Sequence, residues 1–271
     1  MSQYERLYLE SLVSGDGGKY YFDGNTTIDN MDGWGMPGRR VSSVDVLNRD
    51  GWVRHIGGYE GLNVNIDFYM ECSTYQNLWN EKDALNQFLN RSRVKIVRKT
   101  LGRYMIGTFQ QDTWQEKADD EGIRVAGRLS FICHDPFKYS TTETNRVFKG
   151  FTHSGENFNK SVYVSGNYQL YPFVYCSGVV GTLTNFSITN LENNSRIAMT
   201  KDLLTGKFIW IDNDNQDCLM SGGVSVLDST SPDSNFVCLQ PGANRLFIET
   251  SDSNSGQFSV EFNLNYKDRW L

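Results

Sequence analysis

The residues of this chain best able to do chemistry do not assemble into a catalytic pattern. Asp212-x-Asp214-x-Gln216-Asp217 opens like an EF-hand loop, in which alternating carboxylates and amides wrap an oxygen-loving cation. The likeness stops at its next two requirements. Position six is Asp217 rather than the glycine that makes the turn, and position twelve is Gly223 rather than a bidentate glutamate. The segment therefore reads as a polar hairpin loop in preference to a Ca²⁺ site. His55, His134 and His153 share no metal-ligand spacing, and no H-E-x-x-H occurs. The five cysteines, at 72, 133, 176, 218 and 238, form no CxxC and are odd in number, which favours buried, reduced thiols. No G-x-S-x-G elbow, cysteine-nucleophile signature, Walker loop or dinucleotide fingerprint is present. Carboxylates abound, yet nothing singles out two as a glycosidase pair. The sequence names no catalytic, cofactor-binding or metal residues, and predicts a non-enzyme without a cofactor.

Binding chemistry has two candidates. Arg91-Ser-Arg-Val-Lys-Ile-Val-Arg-Lys99 places Arg91, Arg93 and Lys95 on one face of a strand, offset from Val94 and Ile96. A nucleic-acid contact is the sharper reading. The net charge of −6 opposes it, because proteins that grip phosphates carry a Lys/Arg surplus. The run also lacks interleaved aromatics. It reads better as a solvated or inter-subunit face. Trp34, Trp52, Trp210 and Trp270 are candidate rings for stacking on sugars, although Trp serves more often in cores and interfaces. No Trp cluster falls within one short segment, so the second half is expected not to bind cell-wall sugars with useful affinity.

The elements that would position these groups are mostly strands. The 271 residues are 39% hydrophobic, 21% charged and 13% aromatic, with 25 glycines, a composition that leans towards β structure around a real core. Gly33 to Met70 organises the first half. A Gly-Trp-Gly and a Pro37-Gly38 break lead into a strand over Val41–Leu47, the turn Asn48-Arg49-Asp50-Gly51, a loop, and a strand over Leu62–Met70. In that last strand Leu62, Val64, Ile66, Phe68 and Met70 alternate with polar residues, the pattern of a half-buried strand. Tyr4–Val13 and Lys19–Phe22 predict a hairpin around Ser14–Gly18. Ser73 and Gln76 form a capping-box start, and Tyr75, Leu78, Trp79, Leu85, Phe88 and Leu89 follow at helical spacing, predicting one helix over 74–90. Strands over Arg103–Gln110 and Gly122–Cys133 flank an acidic tip, Asp112 to Glu121. Pro136 suits a strand exit.

Residues 138–145 are polar, Thr-rich and without apolar periodicity, and read as a linker between domains at 1–137 and 146–271. The acidic excess is even: 17 basic against 20 acidic residues in 1–145, and 9 against 12 beyond. The second half predicts short strands at Leu170–Cys176, Thr182–Thr189, Arg196–Thr200, Lys207–Asp212, Asn235–Leu239, Asn244–Glu249 and Gln257–Tyr266, the spacing of a β-sandwich. The N-terminus, MSQYERLYLE, shows no basic-then-apolar signal, and no apolar run is long enough to span a bilayer, which predicts synthesis in a cytoplasm and no membrane partner.

Four places, in order, resemble the distal tail (Dit) family of long-tailed bacteriophages. They are the Asn48-Arg-Asp-Gly51 turn, the strand and Pro-aromatic exit Leu129-Ser-Phe-Ile-Cys-His-Asp-Pro-Phe-Lys-Tyr139, Phe208-Ile-Trp-Ile-Asp212 with its Asn/Asp loop, and Leu239-Gln-Pro-Gly-Ala-Asn244 leading into a strand. The chain then ends near a terminal aromatic, Trp270. The resemblance implies a mainly β chain: an N-terminal tail-tube-like β domain with one α-helix, and a C-terminal galectin-like β-sandwich. It further implies a structural virion protein forming a homohexameric hub ring at the distal end of the tail. Its partners would be itself, the tail tube protein, tail-tip or tail-associated proteins and receptor-binding proteins, with DNA only passing through the pore. Some relatives carry inserted carbohydrate-binding modules, and this chain has no long insertion between its strands. Subunit contacts are expected at Arg49 and Asp50 of the turn, at Arg91, Arg93 and Lys95, and at the acidic Asp119, Asp120 and Glu121 of a neighbour. The competing readings are a carbohydrate-binding β-sandwich for cell-wall adhesion and a carbohydrate-active enzyme with a dispersed carboxylate pair.

Overall fold

The computed structural model describes residues 7–12, 18–45, 52–90, 93–119, 122–149, 157–251 and 259–271. Contacts divide the chain into two units, Met1–Thr141 with Leu271, and Thr142–Trp270.

In the first unit the alternating stretch forms strand β6, Leu62–Cys72, and its register explains the pattern. Val64, Ile66, Phe68 and Met70 are fully buried, while Asn65, Asp67 and Tyr69 stay half-exposed. Strands β1 (Leu7–Ser11), β2 (Lys19–Tyr21), β3 (Thr26–Asp32), β7 (Val94–Arg98), β8 (Arg103–Asp119) and β9 (Gly122–Cys133) complete an antiparallel sheet in the order β2-β1-β7-β8-β9-β6-β3. β4 (Arg39–Asp45) and β5 (Trp52–Tyr59) pair only with each other, as a two-stranded ribbon, and β10 (Lys138–Ser140) pairs with β8. The single helix longer than one turn among the described residues of the unit, α1 (Tyr75–Leu89), sets Leu78, Leu85, Phe88 and Leu89 into the same core as β6 and β9. Burying each such side chain contributes about 1.5–3 kcal/mol.

Several expectations change. The helix is capped by Thr74 and not Ser73: Thr74 Oγ1 accepts from the Asn77 amide at 3.2 Å, while Ser73 Oγ accepts from the Asn77 side chain. The loop expected after Gly51 is strand β5, whose Gly57-Gly58 hid its alternation. The acidic tip is strand too. β8 is 17 residues long, because the polar segment continues the ladder with β9 past a bulge at Phe109–Gln111. β3 went unpredicted because it is a polar edge strand whose alternation is broken by a bulge between Ile28 and Asn30. Of residues 138–145, Lys138–Ser140 and the start of β11 are strand, and Lys138 is buried with Nζ donating to the Gly35 carbonyl at 2.9 Å. The tip of the 48–51 turn and the Ser14–Gly17 turn lie outside the described residues.

The second unit is a β-sandwich. β11 (Thr144–Lys149), β20 (Ser259–Tyr266), β13 (Phe173–Val180), β16 (Phe208–Asp212), β17 (Asp217–Met220) and β18 (Val224–Ser225) form one antiparallel sheet in that order. β12 (Asn157–Val164), β19 (Gly242–Ser251), β14 (Thr182–Asn190) and β15 (Ser195–Leu204) form the other. Val174, Cys176, Ile209, Ile211, Phe262 and Leu264 from the first meet Phe186, Ile188, Ile197, Met199, Leu246 and Ile248 from the second in one buried core. Asn235–Leu239 is not a strand. Its ends bond backbone to backbone, Asn235 with Arg196 and Leu239 in a single bridge with Leu170, and its middle is answered by side chains: the Val237 amide donates to Asn213, and the Cys238 carbonyl accepts from Asn190, Asn193 and Ser195.

Candidate assembly surfaces

β7 carries the basic run. Arg93, just before it, is exposed, and Lys95 is half-buried with Nζ 2.7 Å from Glu10 Oε1 on β1. Lys19 approaches the same carboxylate at 3.5 Å. Burial alone would raise the Glu10 pKa; the hydrogen bond and charge of Lys95, with Lys19 behind it, outweigh burial and lower it. Lys95 thus has an acidic partner within its own chain, and it also lies over the Tyr104 ring at 5.5 Å. Arg98 covers the Trp34 ring at 5.2 Å. Of the acidic candidates, Asp119 ends β8 opposite Gly122. Arg49, Asp50, Arg91, Asp120 and Glu121 lie outside the described residues.

The solvent face of β3, β6 and β9 is a ladder of polar pairs. Arg128 holds Asp67 through two hydrogen bonds, at 2.5 and 2.9 Å, Asn65 donates to Asp32, and Ser130 donates to Asn65. The Arg128 hydrogen bonds keep the Asp67 carboxyl below the usual range against the opposing effect of burial. Arg124 pairs with Glu71 at 3.2 Å. These cross-strand pairs fix register on a face that water reaches.

Two further surfaces were not legible in the sequence. On α1, Tyr75 and Trp79 were expected on the apolar stripe, yet both are 54% exposed. Lys82 takes the inward place instead, its ammonium lying over the rings of Trp79 and Trp114 at 4.9 and 5.1 Å. In the second unit, Phe173 and Tyr175 of β13 and Phe208 and Trp210 of β16 share the outer face of their sheet, brought together because Tyr175 pairs with Trp210 and Ser177 with Phe208. Tyr175 stacks on Phe208 at 5.2 Å and Phe208 on Trp210 at 5.2 Å. Of the other expected rings, Trp34 packs against the first core, Trp270 is half-buried, and the Trp52 side chain is outside the described set.

The 212–217 segment is the β16–β17 hairpin loop. Asp212 Oδ1 accepts from the amides of Asp214 and Asn215, and its Oδ2 from the Asn215 side chain, so its oxygens serve the turn. Among the described residues no cluster of His, Cys, Asp or Glu has metal-holding geometry. All five cysteines are buried, unbridged thiols, and burial raises Cys133 and Cys218 to about 12. No helix among the described residues is long and apolar enough to cross a membrane.

The motifs that carried the resemblance have local physical work. After β9, Asp135 accepts from the Phe137 amide at 3.2 Å and from the Tyr139 hydroxyl, while Tyr139 stacks on Tyr104 at 5.7 Å. This latches the chain as it leaves the sheet at Pro136. In Leu239–Asn244, fully buried Asn244 folds back on its own turn. Its Nδ2 donates to the carbonyls of Gln240 at 2.7 Å and Gly242 at 3.1 Å, and its Oδ1 accepts from the Gln240 amide at 2.8 Å and from Asn190 Nδ2 at 2.9 Å.

Residues 165–270 match the family of siphovirus-type tail components of the SPP1 Dit kind, over their C-terminal domain. Among solved structures the chain is similar to SPP1 Dit, described as a paradigm of the hub adsorption apparatus in phages infecting Gram-positive bacteria. The two share 16% identity over 98% of this chain and 99% of that one, with a TM-score of 0.67. A chain of the phage P2 baseplate in its activated conformation with Ca is similar at 12% identity over 96% and 97% of the two chains, with a TM-score of 0.49. Comparison with curated proteins gives no match. The likeness to SPP1 Dit at this identity defines a class of fold. Within that class of fold, the match of residues 165–270 to the Dit C-terminal domain and the mainly β course with one long helix among the described residues both follow the SPP1 Dit pattern.

Proposed function

We propose that the protein is the hub ring at the distal end of a phage tail, a homohexamer joining the tail tube to the tail tip or baseplate and its host-binding proteins. The observation that carries this is the full-length likeness to SPP1 Dit together with the family match of the second unit. In this reading residues 1–137 are a tail-tube-like domain that assembles the ring, 138–145 join the domains, and 146–271 form a galectin-like sandwich turned outward. The first unit supports it physically. The β4–β5 ribbon is an element that is marginal alone and gains from a neighbour. β3 leaves one edge of the sheet open, and a ring closes such edges across subunits.

The ring must let DNA pass without holding it, and a Lys/Arg-lined channel would bind phosphate by releasing counterions. Arg91, Arg93 and Lys95 are therefore placed at a subunit boundary or on the outer wall. Lys95 already answers Glu10, so pairing with Asp119, Asp120 or Glu121 of a neighbour falls chiefly to the arginines. Such exposed pairs contribute about 0–1 kcal/mol each and set register more than strength. Arg49 and Asp50, between β4 and β5 in the sequence, are the remaining boundary residues. Light scattering on the purified full chain tests the assembly. The expected mass is six times the 30.9 kDa of one chain; a monomer at every concentration up to the solubility limit would contradict it.

A further inference from the structure

The expectation that residues 146–271 bind no sugar rests on the lack of an inserted module and of a Trp cluster within one short segment. The sheet builds the cluster across strands instead. Phe173, Tyr175, Phe208 and Trp210 form a continuous aromatic platform on the outer face of the β11-β20-β13-β16 sheet, with Phe173 37% and Trp210 41% exposed. Beside it, on β20, runs a row of hydrogen-bonding groups. Asn265 is opposite Phe173, Asn263 opposite Tyr175, and Glu261 opposite Ser177. Asn145 of β11 extends the row. Platform and row together line a shallow cavity of about 330 Å³.

We propose that this face is a carbohydrate-binding site for a neutral pyranose polymer, of the kind that coats a cell surface. Three observations lead there. A pyranose has an apolar C–H face and a rim of hydroxyls, and the cavity offers an aromatic face, whose negative π surface suits polarised C–H groups, beside amides that both donate and accept. Phe173 and Trp210 of the platform are large apolar rings left open to water, and a stacking ligand would cover them. Charge then sets the class of sugar. The lining residues Asn145, Phe173, Tyr175, Trp210, Asn263 and Asn265 include no cation, and the adjacent acid, Glu261, accepts from Asn263. A phosphate-bearing or uronic acid polymer would meet repulsion without an answering Lys or Arg. The volume suits one or two rings of a longer chain, so each contact is weak and a repeated array of sites would supply avidity. The site lies in the second unit alone, so its failure leaves the ring reading intact.

The test is titration of the full-length protein with neutral hexasaccharides of glucose, galactose and N-acetylglucosamine, and with poly(glycerol phosphate), read by calorimetry and tryptophan emission. At least one neutral hexasaccharide should bind saturably with a Kd of about 0.1–1 mM per chain, and poly(glycerol phosphate) should not bind. Trp210→Ala should weaken that binding by about tenfold or more, Trp210→Phe should restore most of it, and Asn265→Ala should weaken it by several-fold. Tyr163→Ala, which alters a 64% exposed ring on β12 of the other sheet, should leave it unchanged. The proposal is overturned if none of the neutral sugars binds up to about 10 mM, if only the polyanion binds, or if Trp210→Ala binds as the parent does. It is equally overturned if Trp210→Ala abolishes attachment of another tail protein while no sugar binds, because the platform is then a protein interface.

Discussion

Replacing Asn244 with alanine should destabilise the second unit by about 3–5 kcal/mol, a large effect for a change that removes only an amide. The side chain is fully buried and uses both donors and its acceptor oxygen. It ties Gln240 and Gly242 into the turn and meets Asn190, which itself holds the Cys238 carbonyl. Alanine leaves the Gln240 amide and carbonyl and the buried Asn190 side-chain amide without these partners, and an orphaned buried group costs about 1–3 kcal/mol. Asn244→Asp should be no milder, since it keeps the acceptor, loses both donors and buries a charge. Denaturant unfolding followed by hydrogen exchange in Thr142–Trp270 measures this. A loss under about 1 kcal/mol would mean that water replaces the side chain and that the turn does not depend on it.

Gly33→Ala should destabilise the first unit by about 3 kcal/mol or more. Gly33 has φ +78°, a conformation that costs an L-residue with a Cβ about 1–2 kcal/mol. The larger penalty is steric. A Cβ at this position would stand 1.8 Å from the Asn63 carbonyl oxygen, a backbone atom of β6 that cannot move aside as a side-chain tip would. The chain there passes from edge strand β3 towards the ribbon, with Trp34 turned into the core, so a shift of Gly33 drags both. The urea midpoint should fall at an unchanged slope, with exchange rising first in β3 and β6. An unaltered midpoint would show that the close approach relaxes freely.

The sequence was most legible where burial enforces a period. The alternation of Leu62–Met70 and of Ile123–Phe131 gave two neighbouring strands, and the stripe Leu78–Leu89 gave the helix, because each packs one face on a single core. It was least legible where partners lie far apart in the chain. β3 is a polar strand whose partner β6 is far along the chain, and a bulge interrupts its alternation; the distal part of β8 pairs with the adjacent β9, but its polar residues carry no burial period to read. Lys82 broke the helical stripe in disguise, a cation buried by two tryptophans. Asn235–Leu239 looked like a strand, yet it makes only a single bridge, at Leu239, and its middle is held by side chains. The aromatic platform was hidden for the same reason as β3. Phe173, Tyr175, Phe208 and Trp210 are ordinary in sequence and become neighbours only when β13 pairs with β16. The family motifs, by contrast, were visible because a turn such as Leu239–Asn244 satisfies its own hydrogen bonds locally.

Single-particle electron microscopy of the purified full-length protein tests the central claim most directly. The account predicts closed six-fold rings, with residues 1–137 around an open channel and Arg91, Arg93 and Lys95 at the subunit boundary or on the outer wall. Particles that stay monomeric, or rings whose channel is lined by those three side chains, would contradict it.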